Sequence, residues 1–209
     1  MSRIAFYTNP MSRGQIARWA LHEVGAEYDQ HLIDYGPPMK APAYLAINPM
    51  GKVPAIVHDG HVVTEAAAIC LYLAEAFPQA GLLPQTLAER ADYLRWTFFA
   101  AGPVEQAITS RSMGWSAEGD KMKEGRLGFG SYERSVSTLA GLFDGRDYVC
   151  GDRFTAADVY VGSQVDWGLA FKTISPTPAL EAYAARMRAR PAYQAAKAID
   201  NALIAKANG

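Results

Sequence analysis

The stretch "YTNPMSRGQ", residues 7–15, places polar side chains where a strand gives way to a helix. An apolar run at residues 4–7 precedes it, and apolar residues recur at helical spacing over 16–24. Ser12 and Gln15 have the three-residue spacing of a capping box, in which the serine hydroxyl starts a helix. A hydroxyl at a helix N-terminus can also hold an anion, because the first N–H groups and the helix dipole favour negative charge. The sequence therefore predicts a structural cap, an anion-binding group, or both, at Ser12.

The imidazole and thiol side chains form no recognisable chemical set. The chain has four histidines: His22, His31, His58 and His61. Their spacing matches no HExxH or similar ligand pattern, so we predict no metal. The two cysteines, Cys70 and Cys150, show no CxxC spacing. Two lone cysteines fit free thiols in a reducing cytoplasm better than a disulfide framework.

The elements that must position Ser12 belong to a small α/β unit in the first part of the chain. Apolar patterns predict a strand at 4–7, a helix at 13–24 and a strand at 28–34. A Pro-rich loop then leads to two β-rich runs separated by Asp59-Gly60, a dipeptide typical of a type I′ hairpin. The run "TEAAAICLYLAEAF" closes the unit as a helix. We therefore expect four strands, with a helix after the first and after the last.

From residue 86 onward the patterns are helical. Two pairs of residues have capping-box spacing: Thr86 with Glu89, and Thr155 with Asp158. Gly102-Pro103 should kink or interrupt the long helical stretch that contains it. The organisation predicted is an α/β domain over 1–80, a linker over 81–87 and an all-helical domain over 88–209. We interpret Thr155 and Asp158 as structural, with no part in chemistry.

Composition excludes several classes of protein. The chain has 209 residues, half of them apolar, and a formal net charge of -1, which gives no indication of nucleic-acid or anionic-membrane binding. No apolar run approaches the about 18 residues that a membrane span needs. The apolar run near the N-terminus is too short for a secretory signal. We expect a cytoplasmic globular protein with no membrane or nucleic-acid partner.

Four segments together resemble the bacterial glutathione S-transferases over essentially the whole chain. The segments are "FYTNPMSRGQIARWALHEVG", "YLAINPMGKVPAI", "VVTEAAAICLYLAEAFP" and "FTAADV". Each is weak alone, but their order and spacing are specific. The resemblance implies a thioredoxin-like N-terminal domain that binds glutathione as co-substrate. It also implies an all-α C-terminal bundle that shapes the pocket for a hydrophobic electrophile, and a homodimer.

The resemblance assigns the residues around Pro54 to the glutathione site. The proline of the "VP" pair is expected to be cis, and Val53 to offer its backbone N–H and C=O to the cysteinyl part of glutathione. This is physically reasonable, since an extended peptide can pair with a free strand edge as an added strand. Lys40 and Lys52 are the cations near the expected glycyl carboxylate, although an exposed loop lysine is usually only solvated surface.

The same resemblance assigns the γ-glutamyl end of glutathione to the start of the third helix. Glu65 is expected to bind the α-ammonium, and the helix N-terminus to hold the carboxylate. Many relatives have a serine at the next position, where this chain has Ala66. The backbone N–H survives this change, and one neutral hydrogen bond contributes about 0.5–1.5 kcal/mol. We therefore expect weaker glutathione binding, not loss of the site.

Thiol activation has three candidate residues. A free cysteine thiol has a pKa of about 8.5, and lowering it by about 2 units needs roughly 2.7 kcal/mol of preference for the thiolate. Relatives use Tyr, Ser or Cys near the end of the first strand. Matching from the strand selects Ser12, with Asn9 and Tyr7 as alternatives.

The resemblance also suggests residues lining the electrophile pocket: Phe98, Phe99, Met113, Trp115 and Trp167. Aromatic residues at helical spacing are more often core.

Three functions remain open on the sequence alone. The first is a glutathione transferase in which the thiolate attacks a soft electrophilic carbon. The second is a non-catalytic ligand-binding or regulatory protein with the same fold, in which the glutathione thiol keeps its ordinary pKa. The third is a glutathione-dependent peroxidase or disulfide reductase, which the absence of a cysteine between residues 1 and 69 disfavours.

Overall fold

The computed structural model describes residues 3–115 and 117–208. The chain forms two compact units. One unit runs up to Leu83 and takes up the chain again from Arg188, and the other comprises Pro84–Met187.

The first unit contains a four-stranded sheet and its helices. Its strands and helices, in chain order, are β1 (Ile4–Thr8), α1 (Gly14–Glu23), β2 (Tyr28–Leu32), α2 (Pro42–Leu45), β3 (Ala55–His58), β4 (His61–Thr64) and α3 (Ala66–Ala76). Short 3-10 turns lie at Pro37–Lys40 and Pro78–Ala80. The predicted strand–helix order is confirmed. The Pro-rich loop, however, contains α2, a short helix that no pattern predicted.

The described residues of the second unit form helices joined by turns and loops, with one isolated β-bridge between Tyr148 and Gly151. It contains α4 (Leu87–Phe99), a π-helical segment (Ala100–Val104), α5 (Glu105–Ser112), α6 (Lys121–Arg126), α7 (Tyr132–Leu142), α8 (Ala156–Ala170) and α9 (Pro178–Arg188). Pro103 lies inside the π-helical segment, so the predicted interruption is confirmed. The last helix, α10 (Pro191–Asn208), returns to the first unit.

The sheet has the order β2-β1-β3-β4, with β1 parallel to β2 and antiparallel to β3. Burial alternates along β1, where Ile4 and Phe6 are fully buried. This is the period-two pattern of a strand with one covered face. Helices α1 and α3 pack together in this unit, and Ile16 and Leu73 are among their buried residues.

The hairpin between β3 and β4 turns at Asp59 and Gly60, as predicted. Both residues have positive φ, 50° and 80°. A type I′ turn requires positive φ at both central positions, which Asp tolerates and Gly adopts without steric cost. The turn pairs His58 with His61 and sets the register of the hairpin.

Both predicted caps in the helical part are present. Thr86 Oγ1 accepts from the Glu89 N–H at 3.1 Å, at the start of α4. At the start of α8, Asp158 Oδ2 accepts from the Thr155 N–H at 2.8 Å, although Asp is one methylene shorter than the usual Glu.

At the C-terminal end, α10 lies in the first compact unit, outside the second unit to which most of the predicted helical domain belongs. The sequence grouped all of 88–209 together, whereas α10 packs against α1. Trp19 meets Tyr193 edge to face at 5.0 Å, and Arg190 makes two hydrogen bonds to Glu23 at 2.6 and 2.7 Å. The apolar and charged faces of α10 match those of α1, and this long-range complementarity is not visible in local patterns. No helix within 3–115 or 117–208 has the length and apolar character to cross a bilayer.

Candidate active site

The predicted glutathione-site residues gather at one end of the sheet. Tyr7 of β1 pairs with Ala55 of β3, and Ala55 pairs with Thr64 of β4. The end of β1, the start of β3 and the end of β4 therefore share this end. Helices α1 and α3 both begin there and direct the positive end of their dipoles to it, although the first N–H groups of α1 already bond Ser12 and Arg13.

The segment between β1 and α1, residues 9–12, is a tightly held turn. Three successive carbonyl oxygens each accept a hydrogen bond from a side chain: Asn9 O from Ser12 Oγ at 2.6 Å, Pro10 O from Gln15 Nε2 at 2.5 Å, and Met11 O from Tyr35 Oη at 3.0 Å. These bonds satisfy carbonyl groups that would otherwise present negative dipole ends at the start of α1. The turn is fixed, and an anion next to it meets less repulsion.

Ser12 does not form the capping box that the sequence suggested, and that prediction is wrong. The residue flanking α1 is Arg13, whose side chain accepts no capping bond. The Ser12 hydroxyl accepts from the Gly14 N–H at 2.9 Å and donates to Asn9 O. Gln15 does not complete the box because its Oε1 accepts from Lys197 Nζ of α10, and the Ser12 N–H donates to Asn9 O instead. Ser12 is half-buried, and its only proton is directed to a backbone oxygen.

Gly14 allows α1 to begin close to the end of β1. A Cβ at this position would overlap the side chain of Thr8. Thr8 is buried at the last position of β1. The glycine therefore brings the helix N-terminus against the strand end, which sets the place of Ser12 between them.

The two alternatives to Ser12 have different surroundings. Asn9 is buried, with Nδ2 donating to Ile33 O at 3.1 Å and Oδ1 accepting from the Met11 N–H at 3.0 Å. It joins the turn to the chain after β2. The Tyr7 ring stacks on His31 at 4.7 Å and lies 5.8 Å from the Tyr44 ring. Asn9 thus has structural bonds at both ends of its amide, and Tyr7 lies in an aromatic group.

The segment before β3 is anchored up to Lys52 and open at Val53. The Lys52 carbonyl accepts from Tyr44 Oη at 2.6 Å and from Asn48 Nδ2 at 2.7 Å. Burial raises the pKa of Tyr44 to about 12, so this phenol remains a donor. Val53–Pro54 is cis, as predicted. Within the described residues, neither the N–H nor the C=O of Val53 has a hydrogen-bond partner.

The two predicted cations differ in their contacts. The Lys40 ammonium donates to Met50 O at 2.9 Å and to Gly51 O at 3.0 Å, so it supports the segment that leads to Val53. A Cβ at Gly51 would lie 2.9 Å from the Lys40 ammonium nitrogen, and Gly51 has a φ of 57°. Gly51 therefore has both a conformational and a packing reason to be glycine. The Lys52 side chain is exposed.

Glu65 lies between β4 and α3 in an unusual backbone conformation, with φ 64° and ψ 117°. This is outside the left-handed helical region, and a non-glycine residue held in such a conformation stores about 1–3 kcal/mol of strain. Its side chain is exposed and caps nothing in α3. Ala66, the first residue of α3, is buried. Strain of this kind is concentrated at functional sites, which makes Glu65 a candidate for a functional contact.

The predicted electrophile-pocket residues lie in the second unit and differ in burial. Phe99 packs edge to face on Trp96 at 5.5 Å, and Trp167 is half-buried in α8. Three of the five are exposed, with Phe98 67%, Met113 57% and Trp115 69% accessible. Trp115 borders a small cavity with Tyr132 and Phe129.

Sequence reasoning missed the side chains that support the site from outside it. These are Tyr35, which holds the turn; Tyr44 and Asn48, which hold Lys52; and Lys197 of α10, which donates to Gln15 Oε1 at 2.6 Å. Only Asn48 carried a local signal, as the first residue of the Asn-Pro pair typical of turns. Among the described residues, no group of three His, Cys, Asp or Glu side chains could hold a metal ion.

Comparison with known proteins matches both parts of the chain to one family. A family model described as "Glutathione S-transferase, N-terminal domain" matches residues 11–76, and one described as "Glutathione S-transferase, C-terminal domain" matches residues 104–191. A curated relative from Xanthomonas campestris, glutathione S-transferase GST-4.5, is 33% identical over 167 residues. That alignment covers 76% of this chain and 80% of the relative.

Two further similarities bear on activity. A protein named probable maleylacetoacetate isomerase 2, from Drosophila melanogaster, is 31% identical over 79% of this chain and 73% of its own length. A sphingomonad glutathione S-transferase solved in complex with glutathione has a TM-score of 0.74 and is 27% identical. The match covers 94% of this chain and 98% of that structure.

Proposed function

We propose that this chain, which belongs to the glutathione S-transferase family, activates glutathione as a thiolate that attacks a hydrophobic electrophile. The observation that carries the proposal is the open backbone of Val53, between the anchored Lys52 carbonyl and cis-Pro54. A free N–H and C=O at this point can pair with the cysteinyl residue of glutathione as an added strand. Glutathione in the sphingomonad relative supports this choice of ligand.

The remaining groups at this end of the sheet suit the other parts of the tripeptide. The N–H groups at the start of α3, around Ala66, can hold the γ-glutamyl carboxylate. Glu65 is exposed beside them and can bind the α-ammonium. Lys52 supplies a cation for the glycyl carboxylate. We assign Lys40 a supporting role here, because its ammonium already bonds the Met50 and Gly51 carbonyls.

We propose Ser12 as the group that donates to the sulfur. A hydrogen bond to a charged group contributes about 1.5–3 kcal/mol, and a helix N-terminus adds about 0.3–1 kcal/mol. Together these match the roughly 2.7 kcal/mol that a shift of about 2 pKa units requires. To reach the sulfur, the hydroxyl must rotate away from Asn9 O while still accepting from the Gly14 N–H.

A second candidate reaction is isomerisation of an activated double bond, supported by the similarity to the isomerase from Drosophila melanogaster. The same thiolate would add to the alkene and leave again after rotation about the carbon–carbon bond. Thiol–disulfide exchange by the chain's own cysteines has less support. Burial raises the pKa of the Cys70 thiol well above its ordinary value and that of Cys150 to about 11, and neither is a ready nucleophile.

The test follows the ultraviolet thiolate absorbance of bound glutathione against pH, together with turnover of a chlorodinitrobenzene-type substrate and of an activated cis-alkene. We expect the thiolate midpoint in the wild-type protein to lie about 2 units below that of free glutathione. In Ser12→Ala we expect the midpoint to rise by about 1 unit or more and turnover to fall at least about tenfold.

Ser137→Ala is the matched control for this experiment. The Ser137 hydroxyl also donates to the carbonyl three residues before it, Arg134 O at 3.2 Å, but lies on α7. It should leave the midpoint unchanged. A midpoint in the wild-type protein equal to that of free glutathione would favour the non-catalytic binding protein. An unchanged midpoint in Ser12→Ala, with only a lower melting temperature, would transfer the role to Asn9 or Tyr7.

A further inference from the structure

The turn that carries Ser12 is connected to the C-terminal helix by two consecutive hydrogen bonds. Lys197 Nζ, on α10, donates to Gln15 Oε1 at 2.6 Å, and Gln15 Nε2 donates to Pro10 O at 2.5 Å. Lys197 is 182 positions from Gln15 in the chain. Pro10 lies between Asn9 and Ser12, so the second bond ends inside the turn.

The lysine also fixes which way the glutamine amide points. An ammonium group has three donors and no acceptor, so only the oxygen of Gln15 can face it. The NH₂ group must then point toward the Pro10 carbonyl. Positive charge on Lys197 polarises the amide and strengthens its donation to Pro10 O, because hydrogen bonds in a chain reinforce one another.

We propose that Gln15 and Lys197 are positioning residues that hold the 9–12 turn so that the Ser12 hydroxyl and the start of α1 stabilise the glutathione thiolate. This inference rests on the proposed function and extends it to α10. Neither residue needs to touch glutathione. Their effect is to keep the turn in place before the thiolate forms, so that no reorganisation is needed at that step.

Other contacts between α1 and α10 provide the contrast that the test needs. Arg190 bonds Glu23 at the opposite end of α1 from the turn. If α10 acted only by stabilising α1, loss of Arg190 would have the same consequence for the thiolate as loss of Lys197. If our proposal is right, the two losses differ.

The experiment measures the thiolate midpoint of bound glutathione in Lys197→Met, Gln15→Met, the double variant and Arg190→Met, with KM for glutathione and kcat for conjugation. We expect the pH midpoint of thiolate formation to rise by about half a unit to one unit in Lys197→Met and in Gln15→Met. Because the two residues act in series, the double variant should shift the midpoint no further than Gln15→Met alone. At neutral pH kcat should fall several-fold while KM changes little. Lys197→Arg, which keeps the positive charge, should have a midpoint close to that of the wild-type protein.

The outcomes separate this inference from the function on which it rests. Arg190→Met should lower the melting temperature and leave the midpoint unchanged. If Ser12→Ala raises the midpoint but Lys197→Met and Gln15→Met do not, the positioning role is wrong and the proposed function stands. If Ser12→Ala also leaves the midpoint unchanged, the proposed role of Ser12 as the donor to the sulfur is wrong, and the positioning role that depends on it is wrong too. An equal shift in Arg190→Met and Lys197→Met would show a general stabilising effect and overturn the positioning role.

Discussion

At the scale of single residues, what matters is how many hydrogen bonds a polar group makes and whether they can be exchanged. Ser12 makes two, and one of them, to Asn9 O, can be given up when a better acceptor arrives. A thiolate is such an acceptor, because hydrogen bonds to charged groups are stronger than those to neutral ones. A buried group with every bond filled by the fold has no such freedom, and Asp158 is the clearest case.

Asp158 is fully buried and accepts four hydrogen bonds. The donors are the Val149 N–H at 2.8 Å, the Thr155 N–H at 2.8 Å, the Thr155 hydroxyl at 3.1 Å and the Tyr183 hydroxyl at 3.0 Å. Burial raises the pKa of this carboxyl to about 6, and the four donors oppose the rise. The interpretation of Asp158 as structural is consistent with these contacts, although it does more than start a helix.

We therefore predict that Asp158→Ala destabilises the protein much more than loss of a simple cap. Leaving a buried donor unsatisfied costs about 1–3 kcal/mol, and several are left here, so we expect a loss of about 3 kcal/mol or more. Thr155→Ala should cost about 1 kcal/mol. Urea unfolding at neutral pH measures the loss of stability in both variants. The pH midpoint of thiolate formation in bound glutathione is a second readout. Equal losses in the two variants, or a shifted midpoint in the protein that remains folded, would contradict this account.

At the scale of elements, the pairing of α1 with α10 depends on a buried ion pair. Arg18 and Asp200 are both fully buried, with Nε and Oδ1 3.0 Å apart, and Arg18 Nη1 also donates to Tyr28 Oη at 2.9 Å. Burial raises the pKa of Asp200, and the Arg18 charge opposes this rise. The pair defines how α10 registers on α1, and the same register brings Lys197 opposite Gln15.

Breaking this pair on one side should be far more costly than replacing it whole. Asp200→Leu leaves the Arg18 guanidinium buried without a counter-charge, and we expect a loss of about 3–5 kcal/mol. The double variant Arg18→Met with Asp200→Leu should recover most of that loss, because an apolar pair of similar volume avoids the desolvation of both charges. Denaturant unfolding of the three proteins is the measurement. A double variant no more stable than Asp200→Leu would mean that the Tyr28 bond, not the ion pair, holds the register.

The elements that the sequence predicted are those whose causes are local. The Asp59-Gly60 turn and the Thr86 cap each depend on residues within four positions, and both are present as predicted. The Ser12 capping box failed because Gln15 takes a partner on α10, 182 positions away, and no local pattern contains that information. The open Val53 backbone was predicted from resemblance. Its anchors, Tyr44 and Asn48, were not, because a hydrogen bond to Lys52 O depends on the path of the intervening loop.

At the scale of the whole molecule, α4 carries an unpartnered apolar stripe. Leu87, Leu94 and Phe98 are 85%, 42% and 67% exposed. They are spaced by seven and four residues, which places them within about 40° of one another around the helix. Large apolar side chains exposed on one side of a helix are typical of an interaction site. Since the resemblance implies a homodimer, we propose a second copy of the chain as its occupant.

We predict that the wild-type protein is a dimer in solution and that Leu94→Lys with Phe98→Lys converts it to a monomer. Two charges in an apolar interface without partners carry a desolvation cost that a small interface cannot offset. Sedimentation equilibrium measures the change, and Met122→Lys on α6, another exposed apolar residue, is the control that should stay dimeric. If the variant remains a dimer but loses affinity for the electrophile, Phe98 lines the electrophile pocket, as the resemblance suggested, and not a dimer interface. If the wild-type protein is a monomer, the proposal that a second copy covers the α4 stripe is wrong.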